Sequence, residues 1–303
     1  MRRFRSTVLG AALLALALVA AACAEEPGGD GTPEAKASLT VGADNFAEAE
    51  IVAEMYAQVL ENAGYDVSRK FGTTRETRIP AMESGEIDLA PEYLATLLLF
   101  LDPNAEASSD AQAVAGDLNP LLEEKGLTTL EASAAVDTNA FVVTQETAQE
   151  HGLETVSDLA AVAGDLTLGG PPECPERPFC IPGLKDVYGV EFGKFVPLDA
   201  GGPLTVEALD TGEIDVALLF STQSVIVDKG WVVLQDDKGL QAADNITPLI
   251  RTDLVNDEIT GLLNGVSASL TTEIMLGLNG RVEIDGEDAA DVAQDFLTEQ
   301  GLA

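Results

Sequence analysis

Cys174 and Cys180 lie in the run Pro171-Pro172-Glu173-Cys174-Pro175-Glu176-Arg177-Pro178-Phe179-Cys180-Ile181-Pro182-Gly183, with five residues between the thiols and five prolines stiffening the segment. A zinc or redox site needs more ligands than this, and His151 is the only histidine in the chain. A Cys–His catalytic pair has no local signature here. In an exported protein the expected state of such a pair is a disulfide. A loop this rigid can aim a side chain, and Arg177 is its candidate. A guanidinium is a planar fork suited to a carboxylate. Equally, Arg177 can be a surface residue that neutralises Glu173 and Glu176.

Other residues invite chemistry less strongly. Acid pairs such as Asp88 and Glu92 suggest general acid–base work, but among 52 acidic residues such pairs arise by chance and read as solvated faces. Gly201-Gly202-Pro203 precedes a helix, where free amides attract an anion or the residues simply make a turn. Ser221 and Thr222 follow a strand and either cap a helix or line a cleft. His151 stands before Gly152 at a helix end, where a capping role fits best. No Walker loop, Ser-His-Asp order or metal-ligand cluster is visible, so neither an enzyme nor a cofactor nor a metal is expected.

The chain has 303 residues, with 52 acidic against 16 basic and a formal net charge of -36. Nucleic-acid binding needs clustered Lys and Arg, and none occurs beyond residue 5. The charge also opposes an electrostatic grip on an anionic membrane and suits a soluble protein in a salty medium. The basic residues Arg2, Arg3 and Arg5, an apolar run over 8–22 and the sequence Ala20-Ala21-Ala22-Cys23 predict an export signal over 1–22. Small residues before a Cys resemble a bacterial lipoprotein box, which would make Cys23 a lipidated N-terminus; ordinary cleavage near Ala22 is the alternative. Removal of residues 1–22 takes away three of 16 basic residues and no acid, leaving 13 against 52, a net charge of -39. Residues 23–38 read as anchor and flexible tether.

Positioning elements follow from periodicity. A strand over 39–42, a helix over 47–62 with Ile51, Met55, Val59 and Leu60 on one face, a strand over 67–71, a helix over 74–83 and a strand over 87–90 alternate, with Gly64 and Gly85 as helix stops. After residue 136 the pattern returns. Strands are expected over 141–143, 166–168, 216–220 and 231–234, with helices capped by Ser157, over 204–209 and over 221–227, and a helical C-terminal part from Asp253. This predicts an α/β architecture with largely parallel sheets. Residues 81–93 (AMESGEIDLAPEY) and 208–220 (ALDTGEIDVALLF) share six of thirteen positions. Each reads as a helix end, a Gly stop and a buried strand ending in an aromatic, Tyr93 or Phe220. Ligands collect beyond the carboxyl ends of such strands, so the two rings are expected on opposite walls of one cleft. The alternative is a common helix-to-strand turn that occurs twice.

The stretch over 42–93, with GADNFAEAEIVAEMYAQVLENAGY, FGTTRE and PAMESGEIDLAPEY, resembles the substrate-binding proteins of glycine betaine/choline-type ABC importers. GGPPECPERPFCIPGLKDVYGVEF over 169–192 and the following GEIDVALLFST carry the same resemblance, which covers essentially all of 39–303. It implies a type II periplasmic-binding-protein fold, two α/β lobes joined by two crossovers with the ligand cleft between. Lobe I is expected over 39–135 and 236–303, and lobe II over 136–235. It further implies capture of a quaternary amine, held by aromatic rings through cation–π attraction, and delivery to a membrane permease by a monomeric protein anchored on the outer face.

Residue by residue, the resemblance implies that Tyr93 and Phe220 are cage aromatics, that Thr96 is a nearby polar contact, that Arg177 holds the ligand carboxylate and that Asp137 is an acid at the start of lobe II. Thr74 and Asp44 complete the expected binding set. The loop Ala43-Asp44-Asn45-Phe46 lacks a basic residue that relatives often carry there. Asn139 stands where an aromatic is expected, and the loop 241–245 has none. About two cage aromatics therefore remain, and Asp44, Asp137 and Asn139 are read as hydrogen-bonding partners for an amine or hydroxylated zwitterion. The favoured function is a solute-binding lipoprotein for a quaternary-amine osmolyte. The alternatives are the same fold binding an amino acid or polyamine, and an exported enzyme using paired carboxylates.

Overall fold

A computed structural model describes residues 36–303 except 106, 109 and 243. The expected signal over 1–22, the lipidation site Cys23 and the tether to residue 35 lie outside the described residues. The first strand opens at Ser38 rather than 39, and Lys36 before it pairs with Glu258.

In chain order the elements of lobe I are β1 (Ser38–Gly42), α1 (Ala47–Asn62), β2 (Asp66–Lys70), α2 (Arg75–Glu83), β3 (Leu89–Tyr93), α3 (Leu94–Leu101), α4 (Ala111–Glu123) and β4 (Leu127–Thr129). Lobe II follows with β5 (Asn139–Val143), α5 (Gln145–His151), β6 (Thr167–Gly170), the single turn α6 (Ile181–Gly183), β7 (Lys194–Pro197), α7 (Pro203–Asp210), β8 (Val216–Phe220), α8 (Ser224–Asp228) and β9 (Val232–Val233). The chain then returns to lobe I through β10 (Ile246–Arg251), α9 (Asp257–Ser269), α10 (Thr272–Glu283) and α11 (Ala289–Gln300).

Two five-stranded sheets result, ordered β2-β1-β3-β10-β4 and β7-β6-β8-β5-β9. They are less parallel than the sequence suggests. β1–β2, β1–β3, β6–β7 and β6–β8 are parallel, whereas β10 and β5 run antiparallel to both of their neighbours. The reason is the double crossover: β10 enters lobe I from lobe II and inserts between β3 and β4, opposite in direction to both.

Helix α1 is buried on nearly every side, with Ile51, Val52, Met55, Tyr56, Val59 and Leu60 all at 1% exposure or less. It packs on α9, α10 and α11, which explains why its apolar residues exceed the single stripe read from the sequence. Gly64, Gly85 and Gly152 take positive φ at or just past their helix ends, as their positions predict.

The repeated segment is a structural repeat. Gly85 and Gly212 adopt φ of 78° and 73° after α2 and α7. The following aspartates act alike: Asp88 accepts from the Thr40 amide at 2.8 Å and Asp215 from the Thr167 amide at 2.7 Å. Each ties its helix-to-strand turn to the neighbouring parallel strand. The first strand of the pair spans Leu89–Tyr93 rather than 87–90, because Asp88 is held by this turn and pairing with β10 continues to Tyr93.

Other local expectations shift for similar reasons. Thr155, not Ser157, opens the 3-10 segment Val156–Ala161: the Thr155 amide and hydroxyl both donate to Asp158, while the Ser157 hydroxyl donates to Asp237 at 2.7 Å. α8 starts at Ser224 rather than Ser221, because the Ser221 amide donates to the Thr138 carbonyl and its hydroxyl to Asp137. α3, α4, β4, β7 and β10 have no counterpart among the expected elements, although Val114, Leu118 and Leu122 recur at helical spacing in α4. The run LATLLLFL of α3 is apolar nearly all round and is buried against α4.

Candidate functional site

β3 and β8 end at Tyr93 and Phe220, and both rings line a cavity of about 520 Å³ between the lobes. The loop after β1 contributes Phe46, the N-cap of α1. Its ring centroid lies 6.2 Å from that of Tyr93 and 4.8 Å from that of Phe220. Three rings therefore meet in one corner, with Phe46 as the centre. Sequence reasoning counted two cage aromatics and missed Phe46; its place directly after β1, the same loop that carries Asp44, was the available signal. Phe100 and Phe179 also line the cavity. An electron-rich aromatic corner attracts an ammonium group at about 0.5–2 kcal/mol per ring.

Behind the corner lies a buried acidic layer in which Glu48, not singled out from the sequence, joins the expected Asp137. The Tyr93 hydroxyl donates to Glu48 Oε1 at 2.8 Å, and Asn279 Nδ2 donates to Glu48 Oε2 at 3.2 Å and to the Thr222 carbonyl at 3.0 Å. Asp137 accepts from the Ser221 hydroxyl at 3.1 Å and from the Thr222 amide at 3.2 Å. Burial pushes Glu48 above its ordinary range against the hydrogen bonds it accepts, and burial together with the neighbouring Glu48 pushes Asp137 well above its own. Burial and the Glu48 charge likewise raise the Tyr93 phenol, so it stays a donor. Carboxyl oxygens thus lie just beyond the rings, on the side where their dipoles face a bound cation.

Helix α2 supplies cations to the same wall. Glu92 accepts from Arg75 Nε at 2.9 Å and Nη2 at 2.8 Å, and from Arg78 Nη2. Arg78 Nη2 also pairs with Asp44 Oδ2 at 2.7 Å. Glu92 and Arg78 are fully buried. Burial alone would raise the Glu92 carboxyl, but Arg75 and Arg78 outweigh it and hold the group at about 2. The two acids read as solvated faces are therefore structural: Glu92 anchors two guanidiniums, and Asp88 pairs with Arg251 at 2.9 Å. The basic residue missing from the Asp44 loop is provided instead by α2, and Asp44 is engaged by Arg78.

The cavity wall includes all eight residues expected to meet a ligand: Asp44, Thr74, Tyr93, Thr96, Asp137, Asn139, Arg177 and Phe220. Several of them are already engaged within the protein. Thr74 is the N-cap of α2. The Thr96 hydroxyl donates to Asp244, whose carboxyl burial raises to about 6 against the opposing influence of Thr96 and Arg75. Asn139 Nδ2 donates to the Phe179 carbonyl at 3.1 Å, and Gln241 Nε2 meets the same oxygen at 3.0 Å. Asn139, in place of an aromatic, thus steadies the Pro-rich loop. Cys174 and Cys180 form a disulfide within that loop. Arg177 pairs with neither Glu173 nor Glu176; its partner is Glu76, at 2.8 Å across the cleft. The amides following Gly201-Gly202 serve a turn, since Leu204 N and Thr205 N donate to Asp199 at 2.9 and 3.0 Å.

Comparison with known proteins fits this geometry. Residues 37–299 match the family described as the substrate binding domain of ABC-type glycine betaine transport system. A glycine-betaine-binding protein of Pseudomonas aeruginosa is 29% identical over 278 residues, covering 88% of each chain. The glycine betaine-binding protein YehZ of Escherichia coli K12 is 28% identical over 282 residues, covering 88% of this chain and 92% of that one. A crystal structure of a glycine betaine/carnitine/choline ABC transporter protein superposes with a TM-score of 0.67 at 27% identity, covering 87% of this chain and 99% of the other. These relatives are substrate-binding transport proteins, not enzymes. With a twin-lobed fold, an aromatic corner at the cleft and a family match spanning almost the whole described region, the chain belongs to the substrate-binding-domain family of ABC-type glycine betaine transport systems.

Proposed function

We propose that the chain captures a quaternary amine of the glycine betaine, carnitine or choline class between lobe I (39–135 and 236–303) and lobe II (136–235). The ammonium head lies against Phe46, Tyr93 and Phe220, with Asp137 and Glu48 behind them. A ligand carboxylate binds Arg177, and Thr96, Thr74, Asp44 and Asn139 shape the walls. The observation that carries this reading is the convergence of three rings and the Arg177 guanidinium on a single cavity. The protein works as an extracytoplasmic monomer tethered through lipidated Cys23 and hands its ligand to an ABC permease.

Calorimetric titration with glycine betaine, choline, carnitine and ectoine tests the ligand class. Binding of at least one, with loss of the carboxylate-bearing ligands in Arg177→Ala, is the expected result. No heat and no thermal shift with any of them refutes the ligand assignment, and unchanged betaine affinity in Arg177→Ala removes Arg177 from the site.

A further inference from the structure

Arg177 and Glu76 face each other across the mouth of the cleft. Glu76 belongs to α2 in lobe I and Arg177 to the disulfide loop in lobe II, and both line the cavity. Arg177 Nη2 donates to Glu76 Oε1 at 2.8 Å, with the two side chains 29% and 40% exposed. Burial raises the Glu76 carboxyl, but the charge and hydrogen bond of Arg177 prevail and hold it below the ordinary carboxylate range. Glu76 is therefore an anion at neutral pH, seated on the group that a ligand carboxylate would use.

The geometry of the fork makes this a contest rather than a coexistence. A guanidinium receives a carboxylate best along its Nε–Nη2 edge, the edge that Arg75 offers Glu92 at 2.9 and 2.8 Å. Arg177 uses only half of that edge. Glu76 occupies Nη2, whereas Nε is buried and has no hydrogen-bond partner among the described residues. A buried donor left unpaired is unfavourable. A ligand carboxylate with two oxygens satisfies Nε and draws on Nη2, where it meets the like charge of Glu76.

We propose that Glu76 is a specificity-determining residue, an internal carboxylate that competes with the ligand carboxylate for Arg177 and so weakens carboxylate-bearing amines relative to carboxylate-free ones. The inference rests on the reading of Arg177 as the carboxylate anchor. A partly exposed ion pair must be broken for each betaine bound, whereas choline leaves the pair intact.

Glu76→Gln removes the charge while keeping size and helix position, and its partial exposure allows the variant to fold. Calorimetry of the full chain with glycine betaine and with choline reads the outcome. Competition predicts that betaine affinity rises about three- to fivefold, the scale of a partly exposed ion pair, while choline affinity stays within about 1.5-fold of wild type. Equal weakening of both ligands would identify the pair as a latch that merely holds the lobes together, and would overturn the inference. So would unchanged or weaker betaine binding in a variant whose melting curve is native. A wild-type protein that binds neither ligand removes the proposed function along with the inference, whereas wild-type betaine binding without tightening in Glu76→Gln removes the inference alone.

Discussion

Glu92→Gln removes the one carboxylate hydrogen-bonded to both guanidiniums of α2. In the wild type Arg78 and Glu92 are fully buried, and the Arg75 side chain is 6% exposed. The glutamine amide can still accept one hydrogen bond, but it carries no charge, and only Asp44 then faces Arg78. Breaking a buried pair by removing one partner costs about 3–5 kcal/mol. The pKa leads to a similar scale: the Glu92 carboxyl falls from 4.5 to about 2, which corresponds to roughly 3 kcal/mol at about 1.4 kcal/mol per unit. At about 2–4 °C per kcal/mol for a chain of this size, Tm drops by about 10 °C. Because the folded-state value is depressed, the contribution is fully present above about pH 4.5 and is lost as pH falls through about 2. Urea denaturation followed by circular dichroism should therefore show the largest wild-type advantage near pH 7, shrinking steadily in acid. A loss below about 1 kcal/mol at pH 7, or a gap that does not narrow in acid, refutes the assignment of Glu92 as the charge that holds this wall.

Phe46→Ala removes the central ring of the corner, and titration with glycine betaine should show affinity reduced by about five- to thirtyfold; unchanged affinity would place the ammonium elsewhere. The double change Cys174→Ser, Cys180→Ser opens a short loop and should lower stability by about 2 kcal/mol in chemical denaturation, with betaine binding weakened further because Arg177 loses its rigid support. Burial raises the Glu283 carboxyl to about 7, partly opposed by hydrogen bonds from Gln223 and the Ser224 amide. A raised acid favours the protonated folded state, so stability should fall as pH rises from about 4.5 to 7. Glu283→Gln should flatten that fall, and an unchanged pH profile of Tm would show that Glu283 does not contribute to it.

Much of the framework was legible because it is local. The stops at Gly64 and Gly85, the span of α1 and the strand over 216–220 follow from periodicity and turn chemistry within a few residues. The Gly-Glu-Ile-Asp repeat pointed to Tyr93 and Phe220 as facing residues, since each copy encodes the same helix-to-strand turn. α3 was less legible because a helix buried on nearly all sides has no polar face to mark its period. β10 was missed because its antiparallel place depends on the chain returning from the other lobe.

The sequence by itself determined the alternating α/β architecture, the Pro-rich cysteine loop, the acidic surface charge and the residues whose types suit an ammonium and a carboxylate. Tertiary structure alone decided which partners those residues have. Phe46 reaches Phe220 from the other lobe, Glu48 lies under Tyr93 from 45 positions away, and Arg177 meets Glu76 across 101 positions. Local pattern records how a segment folds, because backbone preferences act over a few residues. Charge pairing and ring contact in a cleft depend on how two lobes close, and that arrangement is a property of the packed whole.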